Sequence, residues 1–472
     1  MMPARVVTGG GSERKPQSVN WRTTNLKLRL SRLQKNDESS RVLVSAPGSN
    51  STPDSKAFGQ SFWLGLVLTA KSTLRGASAI WEFARNHVPG LPEAPHWSTG
   101  RLWLLRLGCA RLLEPKQQAT DWIWLVDHTV QIGQEKCLLI LGIRASQLPA
   151  DRPLQLADMV PIALSPTKQA NKTQVAEELL KATQVAGVPT AILSDHGADL
   201  HGGIKIFQQT HPDTRELYDM KHKAACLLKH RLTADPRFAE YGQQMGQCKF
   251  QVQQTELDFL TPPSGRSKAR FMNLEKFIGW GRRTLEVLDR QPVCVLQHTT
   301  RERLEQKLGW LRGYREALAE WTSWLTVIEM SQTAVRRGVT RQTHDDLEAG
   351  LPESPLPSTR QLRSDLLLFI AEQTGRLQEQ ERLPLLTEVL ESSFGKLKSV
   401  ERDQQKRGFT SLILCLGALV GTWTSETIAA ALHRTPTKAV ANWVRTHFIG
   451  GTHHTKCCQA YPSNRKQIPE EL

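Results

Sequence analysis

The chain has 472 residues, 39% apolar and 6% aromatic, which gives room for two to four domains with cores of their own and excludes a disordered chain. Its net charge of +15 points to a polyanionic partner, and its longest uncharged apolar run, 409–423, is shorter than the ~20 residues that cross a bilayer, so no membrane partner is expected. Eight cysteines without a Cys-x-x-Cys pair fit a reducing compartment rather than a disulfide framework.

Residues 1–56 are rich in Ser, Asn, Gly, Arg and Lys and are broken by Pro47 and Pro53. They read as a basic disordered arm, with no apolar core of a secretory signal at the start and apolar recurrence only over Asn25–Gln34. Residues 57–116 turn helical. Phe62–Leu68 gives one helix, Ser72-Thr73 opens a second, and Ser98-Thr99 opens a third that carries Arg101, Arg106 and Arg111. Three short helices with a basic last one predict a helix-turn-helix-like DNA-binding domain, its final helix in the major groove.

Residues 117–240 read as α/β. Trp122–Asp127 is an apolar run ending abruptly in a carboxylate, the pattern of a strand buried on both faces. Lys136–Arg144 and Met159–Leu164 are further strands, and Lys172–Ala186 is a helix ended by Gly187. Pro189–Ser194 is a fourth strand leading to Asp195. A glycine loop over 197–203, a short helix over Ile204–Gln209, a fifth strand at Leu217–Met220 and a basic helix from Lys221 follow. Three strands, a helix, a strand, a helix and a strand is the order of a ribonuclease-H-like core.

Residues 241–383 predict a mainly helical insertion, with long helices over Leu274–Asp289, Arg301–Val335 and Arg360–Glu381 and tryptophans that read as core. Residues 384–450 predict the second part of the core: a helix over Leu385–Glu401, a buried helix over 409–423, and a closing helical pair. Residues 451–472 read as a basic tail; the cluster from His453 to Cys458 lacks the paired spacing of a structural zinc site.

The chemistry rests on three acids. Asp127 and Asp195 each follow an apolar strand, which places both at the strand ends where open α/β sheets hold ligands. Glu391, on a helix packed alongside, completes a carboxylate set suited to two Mg²⁺ or Mn²⁺ ions ~4 Å apart, the requirement for phosphodiester cleavage or transfer. Asp199 and Asp219 are expected to support these ligands rather than join them. Lys398 returns to the face of Glu391 two helical turns on, and Lys396, Lys221, His222 and Lys223 supply further phosphate-binding charge. No Gly-x-x-x-x-Gly-Lys-Ser/Thr loop occurs, so ATP is not an expected partner.

Leu125–Thr129, Ile192–Asp199 and Val389–Lys398 resemble the motifs of DDE transposases of bacterial insertion sequences and, more distantly, retroviral integrases; His96–Trp103 resembles the region preceding their catalytic core. The resemblance implies that Asp127, Asp195 and Glu391 are the metal-binding triad. It matches Lys398 to the lysine of a Tyr-Arg-Glu-Lys signature, whose tyrosine and arginine are replaced by Pro384 and Thr387. It implies a dimer or larger assembly on paired element ends, metal-dependent cleavage followed by 3′-hydroxyl strand transfer into target DNA, and a bacterial cytoplasmic, nucleoid-associated setting. A nuclease that cuts without joining, and a catalytically silent DNA-binding descendant, are the alternatives.

Overall fold

The computed structural model describes residues 55–132, 135–264, 274–402, 410–448 and 451–460, so the expected basic arm (apart from its last two residues) and the end of the tail lie outside the described residues. Residues 54–472 form one compact unit. It opens with α1 (Ser55–Leu68), α2 (Leu74–Arg85) and α3 (Trp97–Leu113). Thr73 caps α2 by accepting from Gly76 N, and His96, not Ser98 or Thr99, occupies the cap position of α3.

A five-stranded sheet follows, with strands β1 (Trp122–Ile132), β2 (Glu135–Arg144), β3 (Val160–Thr167), β4 (Ala191–Ser194) and β5 (Arg215–Tyr218) in spatial order 3-2-1-4-5. β1, β2 and β3 pair antiparallel, while β4 and β5 run parallel to β1. Two helices provide the crossovers, α4 (Lys172–Ala186) and α5 (Ala198–Thr210). Alternation along the strands divides the core in two. Trp122, Trp124, Val126, Leu138, Ile140 and Ile192 pack with Val175, Leu179, Ile204 and Phe207 of α4 and α5. Ile123, Leu125, Leu139, Leu193 and Leu217 face the other way, into the cluster that contains the remaining helices.

β1 does not stop at Asp127; it runs on to Ile132, opposite β2, so the carboxylate sits inside the strand. The expected glycine loop is helical at Gly202 and Gly203. A Cβ at Gly203 would lie 2.5 Å from Val175 Cγ1, so the glycine is there to let α5 lie close against α4.

After α6 (Met220–Ala234) comes α7 (Pro236–Val252), opened by Asp235 with Pro236 at the first turn; it runs through the boundary expected at 240/241. The helical segment continues with α8 (Leu274–Arg290), α9 (Arg301–Leu308), α10 (Arg315–Val335), α11 (Thr343–Gly350) and α12 (Pro357–Thr374). The single helix expected over 301–335 is interrupted by a 3₁₀ stretch, Gly309–Tyr314. Trp280, Trp321 and Trp324 are buried here, and Trp321 packs edge-on against Phe238 and Tyr241.

The chain then returns to the sheet through α13 (Glu388–Val400), which packs against β1. The apolar run beyond it is not one helix but a 3₁₀ turn, Ser411–Leu414, and one turn of helix, α14 (Cys415–Ala418). Helices α15 (Ser425–Arg434) and α16 (Thr437–His447) close the unit by packing on α3. The crossing of α3 with this stretch is a backbone-to-backbone contact: a Cβ at Gly108 would sit 1.9 Å from Leu414 O, and one at Gly417 would sit 2.5 Å from Gly108 O. Part of the expected tail is helical, α17 (His453–Ala460), with Lys456 paired to Glu135 on β2. No helix among the described residues is long and apolar enough to cross a membrane.

Candidate active site

The register of the sheet creates a row of acids. Leu125 of β1 stands opposite Leu193 of β4, which stands opposite Leu217 of β5. Two residues on from these lie Asp127, still within β1, and Asp195 and Asp219, each just past the end of its strand; the charges of Asp195 and Asp219 both bear on the Asp127 carboxyl. Neighbouring strands are about 4.8 Å apart, so three carboxylates share an edge about 10 Å long.

Burial and crowding show in the protonation of Asp127. Burial, and then the charge of Asp195, push the Asp127 carboxyl up to about 7, with Asp219 adding to the effect. Among the described residues, Asp127 Oδ1 accepts from its neighbour's amide, His128 N at 2.6 Å. Asp195 Oδ1 accepts from Gly197 N at 2.8 Å, in a tight turn where His196 adopts a left-handed backbone with φ +57°. A Cβ at Gly197 would come 3.2 Å from carboxylate oxygens of both Asp195 and Asp199, so a larger residue there would require them to give by a few tenths of an ångström.

Asp219 differs from the other two. It is 1% exposed and all four of its lone-pair directions are used. Oδ1 accepts from His222 N at 2.7 Å and lies 3.2 Å from His222 Nδ1; Oδ2 accepts from Thr387 N at 2.5 Å and Thr387 Oγ1 at 2.8 Å. Burial alone would raise this carboxyl, but the hydrogen bonds from His222 and Thr387 outweigh it and hold it below the usual carboxylate range. The same ion pair lifts His222 above its ordinary value against the desolvation that would lower it.

Thr387 is the residue before α13, so Asp219 anchors the start of the helix that carries Glu391 one turn later. A second tie, Met220 N to Leu385 O at 2.9 Å, fixes the same junction. Glu391 is itself held by Lys221, with Nζ 2.6 Å from Oε2. α13 and the residues leading into it are therefore docked on the acid row through four hydrogen bonds with Asp219, Met220 and Lys221, although about 170 residues of chain intervene.

The remaining expected residues fall into two groups. Asp199 pairs with Lys136 of β2 at 2.7 Å and faces His128 at 3.5 Å; burial opposes its charge, but these cations hold its carboxyl below the usual range. Lys223 points its ammonium at the rings of Tyr218 and Phe369, 6.0 and 5.6 Å from their centres. Lys398 is exposed in the last turn of α13, and Lys396 is half-buried, its pKa lowered by burial and by the nearby Lys71.

Arg101 and Arg106 are turned inward instead. Arg101 donates to Ser411 Oγ at 2.7 Å, and Arg106 donates to the carbonyls of Thr435, at 2.7 Å, and Leu432. Arg101 fastens α3 to the 3₁₀ turn 411–414 and Arg106 fastens it to the end of α15; the 411–418 stretch and the closing helices pack on α3, where Leu104, Leu105 and Leu107 are buried. A groove-reading helix would have to present that surface to DNA, so the expected recognition role of Arg101 and Arg106 is corrected to a structural one. No feature of the sequence marks an inward-facing arginine apart from its spacing among leucines.

The chain matches no family model and no curated protein. Among solved structures, the strand transfer complex of the Drosophila P element transposase aligns with a TM-score of 0.33 and 12% identity, over 88% of this chain and 100% of that one. A TM-score that low carries no argument about fold or activity.

The donor chemistry of the row suits a hard divalent cation. Asp127, Asp195 and Glu391 each retain carboxylate oxygen with no protein donor among the described contacts, and burial, then the charge of Asp195, disfavours the ionised form of Asp127 that a bound cation would favour.

Proposed function

We propose that this protein is a DNA transposase with a ribonuclease-H-like catalytic core, in which Asp127, Asp195 and Glu391 hold two Mg²⁺ or Mn²⁺ ions. The observation that supports this best is Asp127 on β1 with Asp195 just past the end of the neighbouring β4, beside a helix whose start is tied to Asp219 through Thr387 and whose Glu391 pairs with Lys221. The strand order 3-2-1-4-5 with β2 antiparallel between β1 and β3 is the topology such a core requires. The charge of +15 fits a DNA partner.

Bound ions would activate the attacking oxygen and stabilise the leaving one. The protein's own groups set the geometry. Asp127 on β1 and Asp195 in the tight turn after β4 would supply ligand oxygens, while Asp219 spends its hydrogen-bonding capacity on His222 and on Thr387 at the start of α13. Lys221 offsets the charge of Glu391 until a cation replaces it. In this reading Lys398, Lys396 and Lys223 would meet the phosphate backbone. In the proposed pathway, hydrolysis at an element end frees a 3′-hydroxyl, which then attacks a target phosphodiester; one ester replaces another, so no ATP is needed. Pairing of two ends implies a dimer or larger assembly on DNA.

The test uses DNA flanking the protein's own gene, labelled at the 3′-hydroxyl end, with a supercoiled plasmid and Mg²⁺. Joined product supports the proposal, nicks without joining favour a nuclease, and metal-independent binding alone would leave a catalytically silent DNA binder.

A further inference from the structure

We propose that His196, His201 and Glu216 form a transition-metal site, distinct from the acidic row, that takes a borderline cation such as Zn²⁺ and fixes the turn that carries Asp195. Three elements supply it: His196 from the turn after β4, His201 from the first turns of α5, and Glu216 from β5. Glu216 stands opposite Ile192 and shares its side of the sheet, the face turned away from Asp127.

The donor spacing matches a tetrahedral cation. His196 Nε2 lies 3.2 Å and His201 Nδ1 2.8 Å from Glu216 Oε1, and one ligand atom from each residue falls within 4.8 Å of the others. Bonds of about 2.0–2.1 Å at tetrahedral angles place ligand atoms about 3.3 Å apart, so small side-chain adjustments seat the ion. Two imidazoles and one carboxylate select Zn²⁺ over Mg²⁺, which prefers an all-oxygen shell.

Independent features point to a ligand here. The Glu216 side chain is 6% exposed, a carboxylate that needs a strong counter-charge. His196 Nε2 is buried, and although Glu216 Oε1 lies 3.2 Å away the two are not aligned as a hydrogen bond. Its ring is already oriented, stacked flat on Tyr218 at 4.1 Å and 2°, and Tyr218 is braced edge-on by Phe369. His196 also holds the left-handed backbone, φ +57°, directly after Asp195, a conformation that persists only where the surroundings enforce it. His201, 44% exposed, leaves a fourth position to water. One cation already competes: Lys205 Nζ lies 3.2 Å from Glu216 Oε2, the oxygen not shared by the histidines, and its side chain is 56% exposed.

The site stands whether or not the acidic row is catalytic, so its test does not use activity. Full-length protein is stripped with a chelator and titrated with Zn²⁺ by calorimetry and with Co²⁺ by visible absorption. One Zn²⁺ per chain is expected, with the intense visible bands of four-coordinate Co²⁺. Glu216→Gln and His201→Gln should each weaken binding at least about 100-fold. Asp127→Asn should bind as the parent does, which separates this site from the acidic row. Lys205→Met should tighten binding about 2- to 5-fold by removing the competing ammonium. The proposal fails if the parent binds Zn²⁺ no better than His201→Gln, or if Lys205→Met weakens binding. Both variants are at exposed positions, so they keep the test decisive even if Glu216→Gln does not fold.

Discussion

Replacing Asp127 with Asn should make the metal-free protein more stable. The Asp127 carboxyl sits at about 7 in the folded protein, against 3.8 for a free aspartate, because burial and Asp195 oppose its charge. Below pH 3.8 both states are protonated and the group contributes nothing. Between 3.8 and about 7 the unfolded chain releases its proton while the folded one keeps it, so stability falls as pH rises. Above about 7 the full cost is present, at most about 4 kcal/mol at 1.36 kcal/mol per tenfold. Asparagine is isosteric, still accepts from His128 N, and carries no charge. The variant should therefore match the parent near pH 4 and exceed it by about 2–4 kcal/mol at pH 8 in a chelator. In thermal unfolding this appears as a rise of about 3–6 °C at pH 8. Millimolar Mg²⁺ should then raise the parent's transition and leave the variant's nearly unmoved. An Asp127→Asn protein that is less stable than the parent at pH 8, or a difference that does not grow with pH, would refute the reasoning.

Other consequences follow from the same geometry. Asp195→Asn and Glu391→Gln should each reduce metal-dependent DNA cleavage by at least about 10²-fold with the circular-dichroism spectrum unchanged, since each removes a ligand charge and little packing. Thr387→Val keeps the amide donor to Asp219 but removes the hydroxyl; chemical denaturation should show a loss of about 1–2 kcal/mol, and cleavage should fall through kcat as α13 loosens. Gly108→Ala drives a methyl into the Leu414 carbonyl and should cost about 2–3 kcal/mol or prevent soluble expression, whereas Gly246→Ala, where a Cβ meets nothing within 4 Å, should be neutral or stabilising.

The strands were legible because burial on both faces leaves an unbroken apolar signature: Trp122 to Val126, Leu138 to Ile143 and Ala191 to Leu193 stand out from their polar flanks. Helix α4 was equally clear from its period and from Gly187, which caps it with φ +95°. What failed were positions whose identity answers to a distant neighbour. Gly202 and Gly203 look like a loop until Lys172 and Val175 are seen against them. The 411–420 segment is apolar on all sides, so it carries no period to distinguish one helix from short broken turns. Arg101 and Arg106 look like a DNA-facing stripe, and only tertiary packing shows their partners to be Ser411, Leu432 and Thr435. Asp219 was visible as a strand-end acid, but its saturation by His222 and Thr387 depends on a residue 168 positions away.

That separation has a consequence for synthesis on the ribosome. While the first five strands can pair as they emerge, the Asp219 carboxylate has no Thr387 to bind, and Glu391 has yet to appear, until the whole helical segment has been translated. A nascent chain thus carries an incomplete set of acids for most of its manufacture, and any truncated product ending before residue 387 lacks the last of them.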